Sequence, residues 1–228
     1  MKKTYVIGDI HGCYEPLVNM LQLIGNTEDT LIFLGDYIDR GPESKKVVDL
    51  LVQLKKDLPR VITLLGNHES MFLRFLNGRD QEFFMLNGGQ ETLESYGIDP
   101  LSDYEPSSFV PEEHLAFFAG LLLHWEDEKN IYVHAGLKPG LHLSLQTDWC
   151  IWARDEFIYS SCNFGKRVVF GHTVFKEPYV RPEKIGIDTG AVYGGNLTCL
   201  VLPDEEFITV AGHKNSNHHP LSSTALQN

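Results

Sequence analysis

The sequence predicts an α/β fold in which a sheet opened by a βαβαβ unit carries a second sheet packed against it. Three observations predict it. Early in the chain, short apolar runs alternate with helical periodicity, the pattern of parallel strands joined by crossover helices. From Asn130 onward strands dominate, punctuated by Gly and Pro. A chain of 228 residues, 43% hydrophobic, is long enough to bury the core of one domain.

The elements follow in order. Residues 4–8 read as a strand, 15–24 as a helix, 30–34 as a strand, 44–54 as a helix and 61–65 as a strand, which completes βαβαβ. A further helix starts near Ser70, where "SMFLRFL" follows "GNHE", and a helical insert with the turn "NGG" fills about residues 78–120. Strands are expected at 131–133, 168–170, 184–187, 197–202 and 207–210. Residues 1–211 therefore read as one catalytic domain, and the polar, aperiodic segment 212–228 as a disordered tail.

Composition narrows the function classes. The start leads directly into a strand without a long apolar segment, and the reading is a cytoplasmic protein with no membrane partner. Cys13, Cys150, Cys162 and Cys199 lack CxxC or disulfide-style spacing, so reduced thiols are expected and a zinc-thiolate site is not. Formal net charge is -12, from 19 Lys and Arg against 31 Asp and Glu, and no basic run offsets it. Nucleic acid is excluded as a partner on that ground.

Chemistry concentrates at strand ends. "YVIGDIHG", "LGDYIDRG", "ITLLGNHES", "IYVHAGL" and "VVFGHTV" each run from an apolar strand into Gly plus Asp, Asn or His. In an open α/β sheet such ends share one edge, where loops approach a ligand while the sheet holds them rigid. Asp9, His11, Asp36, Asn67, His134 and His172 thus supply carboxylates, imidazoles and an amide oxygen without thiolates, a donor set that suits Mn, Fe or Zn and exceeds the needs of one ion. Two divalent ions sharing a carboxylate are expected. Such ions, roughly 3.5–4 Å apart, clamp an in-line phosphoryl displacement and bring a bridging water to hydroxide near neutral pH. Arg40 and Arg154 can grip phosphate oxygens with their planar forks. His68 can protonate the leaving oxygen, with Asp39 fixing its tautomer.

Blander readings compete at each position. A single His is more often a hydrogen-bonded structural residue than a ligand, and five ordered motifs reverse that preference. His114, His124 and His142 fall outside the motifs and read as partly exposed or capping residues, and His213, His218 and His219 as tail residues. Asp39 also suits an Asx turn, and Cys13 reads as a small buried apolar residue rather than a redox-sensitive thiol.

The motifs "GDIHG", "GDYIDRG", "GNHE", "HAG" and "GH", in this order, resemble the phosphoprotein phosphatase family of metallophosphoesterases. "WARDEF", "VVFGHT" and "IDTGAVYGGNLT" are similar to its small bacterial serine/threonine phosphatase members. The likeness spans about residues 6–202, and no ligand position departs from it. It implies two packed mixed sheets flanked by helices and two metal ions, commonly Mn. Asp9, His11 and Asp36 would hold the first ion, and Asp36, Asn67, His134 and His172 the second. Phosphate would meet Arg40, Asn67 and Arg154, with His68 as acid paired to Asp39 and Tyr193 bordering the pocket.

The leading expectation is a monomeric serine/threonine protein phosphatase acting on a phosphorylated protein or small phosphoester. The alternative is a symmetrical diadenosine tetraphosphate hydrolase, because "GDIHGCYEPL" is also similar to that group. Those hydrolases replace the carboxylate at Asp39, which favours the phosphatase. A third reading is an inactive phosphoprotein-binding module; no ligand or acid is missing to support it.

Overall fold

The computed structural model describes residues 2–25, 28–100 and 105–213. Two five-stranded mixed sheets, flanked by helices, form its centre. The first half is the expected alternation: β1 (Thr4–Ile7), α1 (Tyr14–Ile24), β2 (Thr30–Phe33), α2 (Ser44–Asp57) and β3 (Val61–Thr63). α1 buries Leu17 and Met20, and α2 buries Val47, Val48, Leu51 and Val52, the spacing that puts apolar side chains on one helix face. α2 stops where Leu58, extended at ψ 135 because Pro59 follows, closes its last turn.

Between the sheets' chain segments lie four helices, α3 (Asn67–Leu76), α4 (Gln81–Leu86), α5 (Gly89–Tyr96) and α6 (Glu112–Ala119). Then come β4 (His124–Glu126), β5 (Asn130–Val133), the short helices α7 (Trp149–Trp152) and α8 (Asp155–Ile158), β6 (Arg167–Phe170), β7 (Tyr179–Val180), β8 (Lys184–Gly186), β9 (Asn196–Leu202) and β10 (Glu206–Ala211). The first sheet runs β10-β9-β1-β2-β3 and the second β4-β5-β6-β8-β7. β1, β2 and β3 pair in parallel, as do β5, β6 and β8; antiparallel pairs join β9 to β1 and β10, β4 to β5 and β7 to β8, and β3 is an edge strand of the first sheet.

Val6, Ile32 and Leu34 of the first sheet meet Tyr132, Val169 and Ile185 of the second in a buried layer. Each fully buried aliphatic side chain there contributes about 1.5–3 kcal/mol by leaving water. The outer face of the first sheet is covered by α1, α2 and the aromatic-rich helices of the insert, where Phe72, Phe75 and Phe84 cluster. This two-sided burial holds the β1, β2, β3, β5 and β6 ends as a rigid platform.

Several boundaries differ from the sequence reading. α3 begins at Asn67 rather than near Ser70, so Asn67 and His68 occupy its first turn. β4, β7, α7 and α8 escaped prediction because runs of two to four residues carry too little periodicity to register. His114 is buried and pairs with the Tyr96 hydroxyl at 2.9 Å, not partly exposed. His142 is the expected cap, accepting from Ser144 N at 3.2 Å. Gly212 and His213 are tied by backbone bonds to Gly195 and Ala191, while the rest of the predicted tail, with His218 and His219, lies outside the described residues. No helix among the described residues is long and apolar enough to cross a membrane.

Candidate functional site

Five strand ends deliver the predicted donors to one place. Asp9 follows β1, Asp36 follows β2, Asn67 follows β3, His134 follows β5 and His172 follows β6, so both sheets contribute. His11 lies in the loop that leads to α1. All six are buried. Two triads that could hold a cation share Asp36: His11, Asp36 and His68 on one side, Asp36, His134 and His172 on the other, each with its donor atoms within 4.8 Å of one another. Asp36 Oδ2 lies 3.4 Å from His11 Nε2, and Oδ1 lies 3.3 Å from His134 Nε2.

The remaining two expected ligands join through direct contacts. Asn67 Oδ1 is 3.1 Å from His134 Nε2. Both Asp9 oxygens accept from the His172 backbone N–H, at 3.1 and 3.0 Å.

Local backbone geometry is specialised for this convergence. Seven non-glycine residues among those described have positive φ, and five of them are His11, Asp36, Asp39, Arg40 and His172. That region is disfavoured for side chains bearing a Cβ, and strain concentrated at candidate site residues points to a constraint beyond packing. Glycine is required where backbone slides past the carboxylates: a Cβ on Gly66 would overlap Asp36 Oδ1, and one on Gly171 would overlap Asp9 Oδ1.

The donors fit divalent metal ions in orientation and charge. His11 Nδ1 donates to Ile38 O at 2.9 Å and His134 Nδ1 to Leu34 O at 3.0 Å, which leaves each Nε2 lone pair facing inward. His172 Nε2 is buried without a hydrogen-bond partner, a vacancy that a cation would fill. Burial pushes His11 and His172 well below the usual imidazole range and His134 down to about 3, so these rings are neutral, as ligation requires. Burial, then the neighbouring carboxylates, pushes Asp9 well up, and burial pushes Asp36 up to about 7. Carboxylates crowded out of water and short of positive charge are what a pair of divalent ions would compensate.

The acid and clamp candidates surround this cage. His68 Nδ1 sits 2.7 Å from Asp39 Oδ2, and its Nε2 is 3.9 Å from Asp36 Oδ2. Asp39 is fully buried and receives Thr92 Oγ1–H at 2.6 Å on its other oxygen. Arg40 turns inward, with Nη1 donating to His11 Nε2 at 2.7 Å and its guanidinium 5.6 Å from the Tyr193 ring centre. Arg154, at the start of α8, is exposed; its charge reaches the cage, lowering Asp36 and His172. Cys13 is buried and its thiol pushed up to about 12 by burial, so it matches the small apolar reading.

Three further residues were missed in the sequence. Glu69 is buried in α3 and accepts from Asp36 N at 2.9 Å, Tyr37 N at 2.7 Å and Gly66 N at 3.0 Å, binding the β2 and β3 loops together. Its position three residues into the helix after Gly66 was the available signal. Asp188, just beyond β8, is buried, and its charge raises both Asp9 and Asp36. The strand-end rule would have found it in "IGIDTG". Thr92 carried no signal, because only folding brings α5 beneath Asp39.

Comparison with known proteins agrees with this geometry and redirects the substrate. A bis(5'-nucleosyl)-tetraphosphatase (asymmetrical) of Bacillus cereus is 28% identical over 244 residues, covering 91% of this chain and 94% of its own. A solved candidate diadenosine tetraphosphatase superposes with TM-score 0.72 at 24% identity, covering 94% of this chain and 95% of its own. A Saccharomyces cerevisiae serine/threonine phosphatase gives TM-score 0.59 at 18% identity, covering 96% of this chain and 81% of its own, a likeness of fold.

The Bacillus cereus relative overturns the expectation of a serine/threonine protein phosphatase. The error has a physical source: one ligand cage serves phosphate monoesters and phosphate anhydrides alike, so cage motifs do not report the substrate. Asp39 speaks against a symmetrical hydrolase alone, whereas the Bacillus cereus relative is an asymmetrical one. The calcineurin-like phosphoesterase model matches residues 2–176, most of the chain, and with the cage at the strand ends this places the chain in the calcineurin-like phosphoesterase family, hydrolases that work with divalent metal ions.

Proposed function

We propose that this chain hydrolyses dinucleoside polyphosphates, cutting diadenosine tetraphosphate off-centre so that water adds to give adenosine triphosphate and adenosine monophosphate. The carrying observation is a likeness to an asymmetrical bis(5'-nucleosyl)-tetraphosphatase that spans nearly the full length of both chains. The net charge of -12 and four free cysteines support a cytoplasmic, monomeric enzyme for a small nucleotide, with no nucleic-acid or membrane partner.

Asp9, His11 and Asp36 are proposed to hold one ion, and Asp36, Asn67, His134 and His172 the other. Mn is proposed, and Fe and Zn also match the donor set. When bound, the pair supplies charge against the developing phosphorane and acidifies water near neutral pH. Arg40, Asn67 and Arg154 orient the scissile phosphate, and Tyr193 borders it. His68 serves as acid at Nε2. Burial raises Asp39 and lowers His68, so with two protons the pair exists as carboxylic acid plus imidazole or as an ion pair. Nε2 carries a proton in both forms, ready for the leaving oxygen.

The test is a direct comparison of kcat/KM on diadenosine tetraphosphate and a phosphoseryl peptide, with products resolved by chromatography. The expected result is preference for the dinucleotide with equal amounts of tri- and monophosphate. Diphosphate as sole product, or preference for the peptide, would contradict the proposal.

A further inference from the structure

Beside the cage lies a groove of about 380 Å³ lined by Ser70, Met71, Arg74, Asp80, Phe83 and Trp152. Its volume falls in the range of small-ligand sites. A second groove of about 370 Å³, between α1 and α2, contains none of the site residues. The first groove touches the cage twice. Trp152 meets His172 edge-on with ring centres 6.2 Å apart and also contacts Phe83 at 6.0 Å. The α3 face that begins at Asn67 continues through Ser70, Met71 and Arg74, spacings that share one side of a helix and lead about 10 Å away from the cage.

Two large aromatic residues of the groove stay open to solvent, Phe83 at 48% and Trp152 at 38%. The same groove is lined by Ser70 and by the ion pair of Arg74 with Asp80. Apolar faces with donors and acceptors at one border suit a flat heterocycle whose rim is polar. An alkyl side chain would use the faces and leave the polar border unmatched.

We infer that this groove binds a nucleobase of the dinucleotide, stacked on Trp152 and Phe83 with its edge toward Ser70, Arg74 and Asp80, while the chain of phosphates runs to the cage. This deepens the substrate reading above and rests on it. Stacking on aromatic side chains accepts any base, so preference between adenine and guanine is set by the polar border.

The experiment measures KM and kcat for diadenosine tetraphosphate and for inorganic tetrapolyphosphate, which has no base, in the wild type, Trp152→Leu, Trp152→Phe and Phe83→Leu. Adenosine monophosphate binding is titrated in parallel. Wild type should favour the base-bearing substrate in KM; Trp152→Leu and Phe83→Leu should each erode that advantage about tenfold, chiefly in KM, and Trp152→Phe should restore most of it. If the dinucleotide is hydrolysed and both leucine variants keep the advantage, the base site is wrong and the substrate reading stands. If the dinucleotide is not hydrolysed, yet the monophosphate binds and Trp152→Leu weakens it about tenfold, the base site stands and the substrate reading falls. Unchanged monophosphate binding in both leucine variants overturns the base site.

Discussion

The metal cage and its rim are built on opposite principles. Every cage donor is buried and set on a strand end, in the turn after it or, for Asn67, in the first turn of α3, and much of the surrounding backbone is held in conformations that few residues adopt. The rim comes from α4, from the short α7 and from the start of α8, and Phe83, Trp152 and Arg154 remain exposed. A buried, strained cage tolerates little variation, since each donor orients the next. The rim is free to change. The proposed division puts chemistry in the cage and substrate choice in the rim; motifs at strand ends mark the phosphoesterase cage and carry no record of its substrate.

The contrast can be sharpened first at His68, where the largest change in rate is expected. His68→Gln should lower kcat on an alkyl phosphomonoester by about 10²–10⁴ while metal content holds. The loss on diadenosine tetraphosphate should be smaller, because a polyphosphate leaves as a stable anion and needs less protonation. Equal losses on both substrates would place His68 in orientation rather than acid catalysis.

Next comes the joint between the loops. Glu69→Ala removes the acceptor for four buried backbone N–H groups, each costing about 1–3 kcal/mol when left unpaired. Thermal unfolding should show destabilisation of roughly 3 kcal/mol or more, whereas Phe83→Ala, at the exposed rim, should cost much less. Similar losses in the two variants would erase the distinction between cage and rim.

The smallest effect is on pH-dependent stability of chelated protein. Burial raises Asp36 to about 7 and Glu69 to about 8. Above pH of about 7.5, where unfolded histidines have lost most of their protons, these carboxyls bind more protons folded than unfolded. Stability should fall by roughly 1 kcal/mol as pH rises from about 7.5 to about 9, mainly as Glu69 loses its proton. Adding Mn should flatten the decline; denaturant melts with and without chelator measure it. A rise over this interval would mean that the carboxylates are already compensated within the protein.

Legibility in the sequence followed the same division. Period and punctuation located β1, β2, β3, β5, β6, β8, β9 and β10, and Gly beside Asp, Asn or His marked every expected cage donor. Asp188 obeys the same rule, two residues beyond β8 in "IGIDTG". Thr92 supports Asp39 across 53 residues of separation, and Arg40 N bonds to Gly88 O at 2.9 Å, so the insert props up the catalytic loop. No local pattern encodes such contacts. Nothing in the sequence around Trp152 marks it for the site, and only its contact with His172 gives it a place there.

The most direct test of the shared cage is metal stoichiometry by elemental analysis after gel filtration, with wild type and Asp36→Asn side by side. Because Asp36 belongs to both triads, wild type should retain about two ions per chain and the variant fewer than one. One ion in wild type, or two in Asp36→Asn, would contradict a dinuclear centre bridged at Asp36.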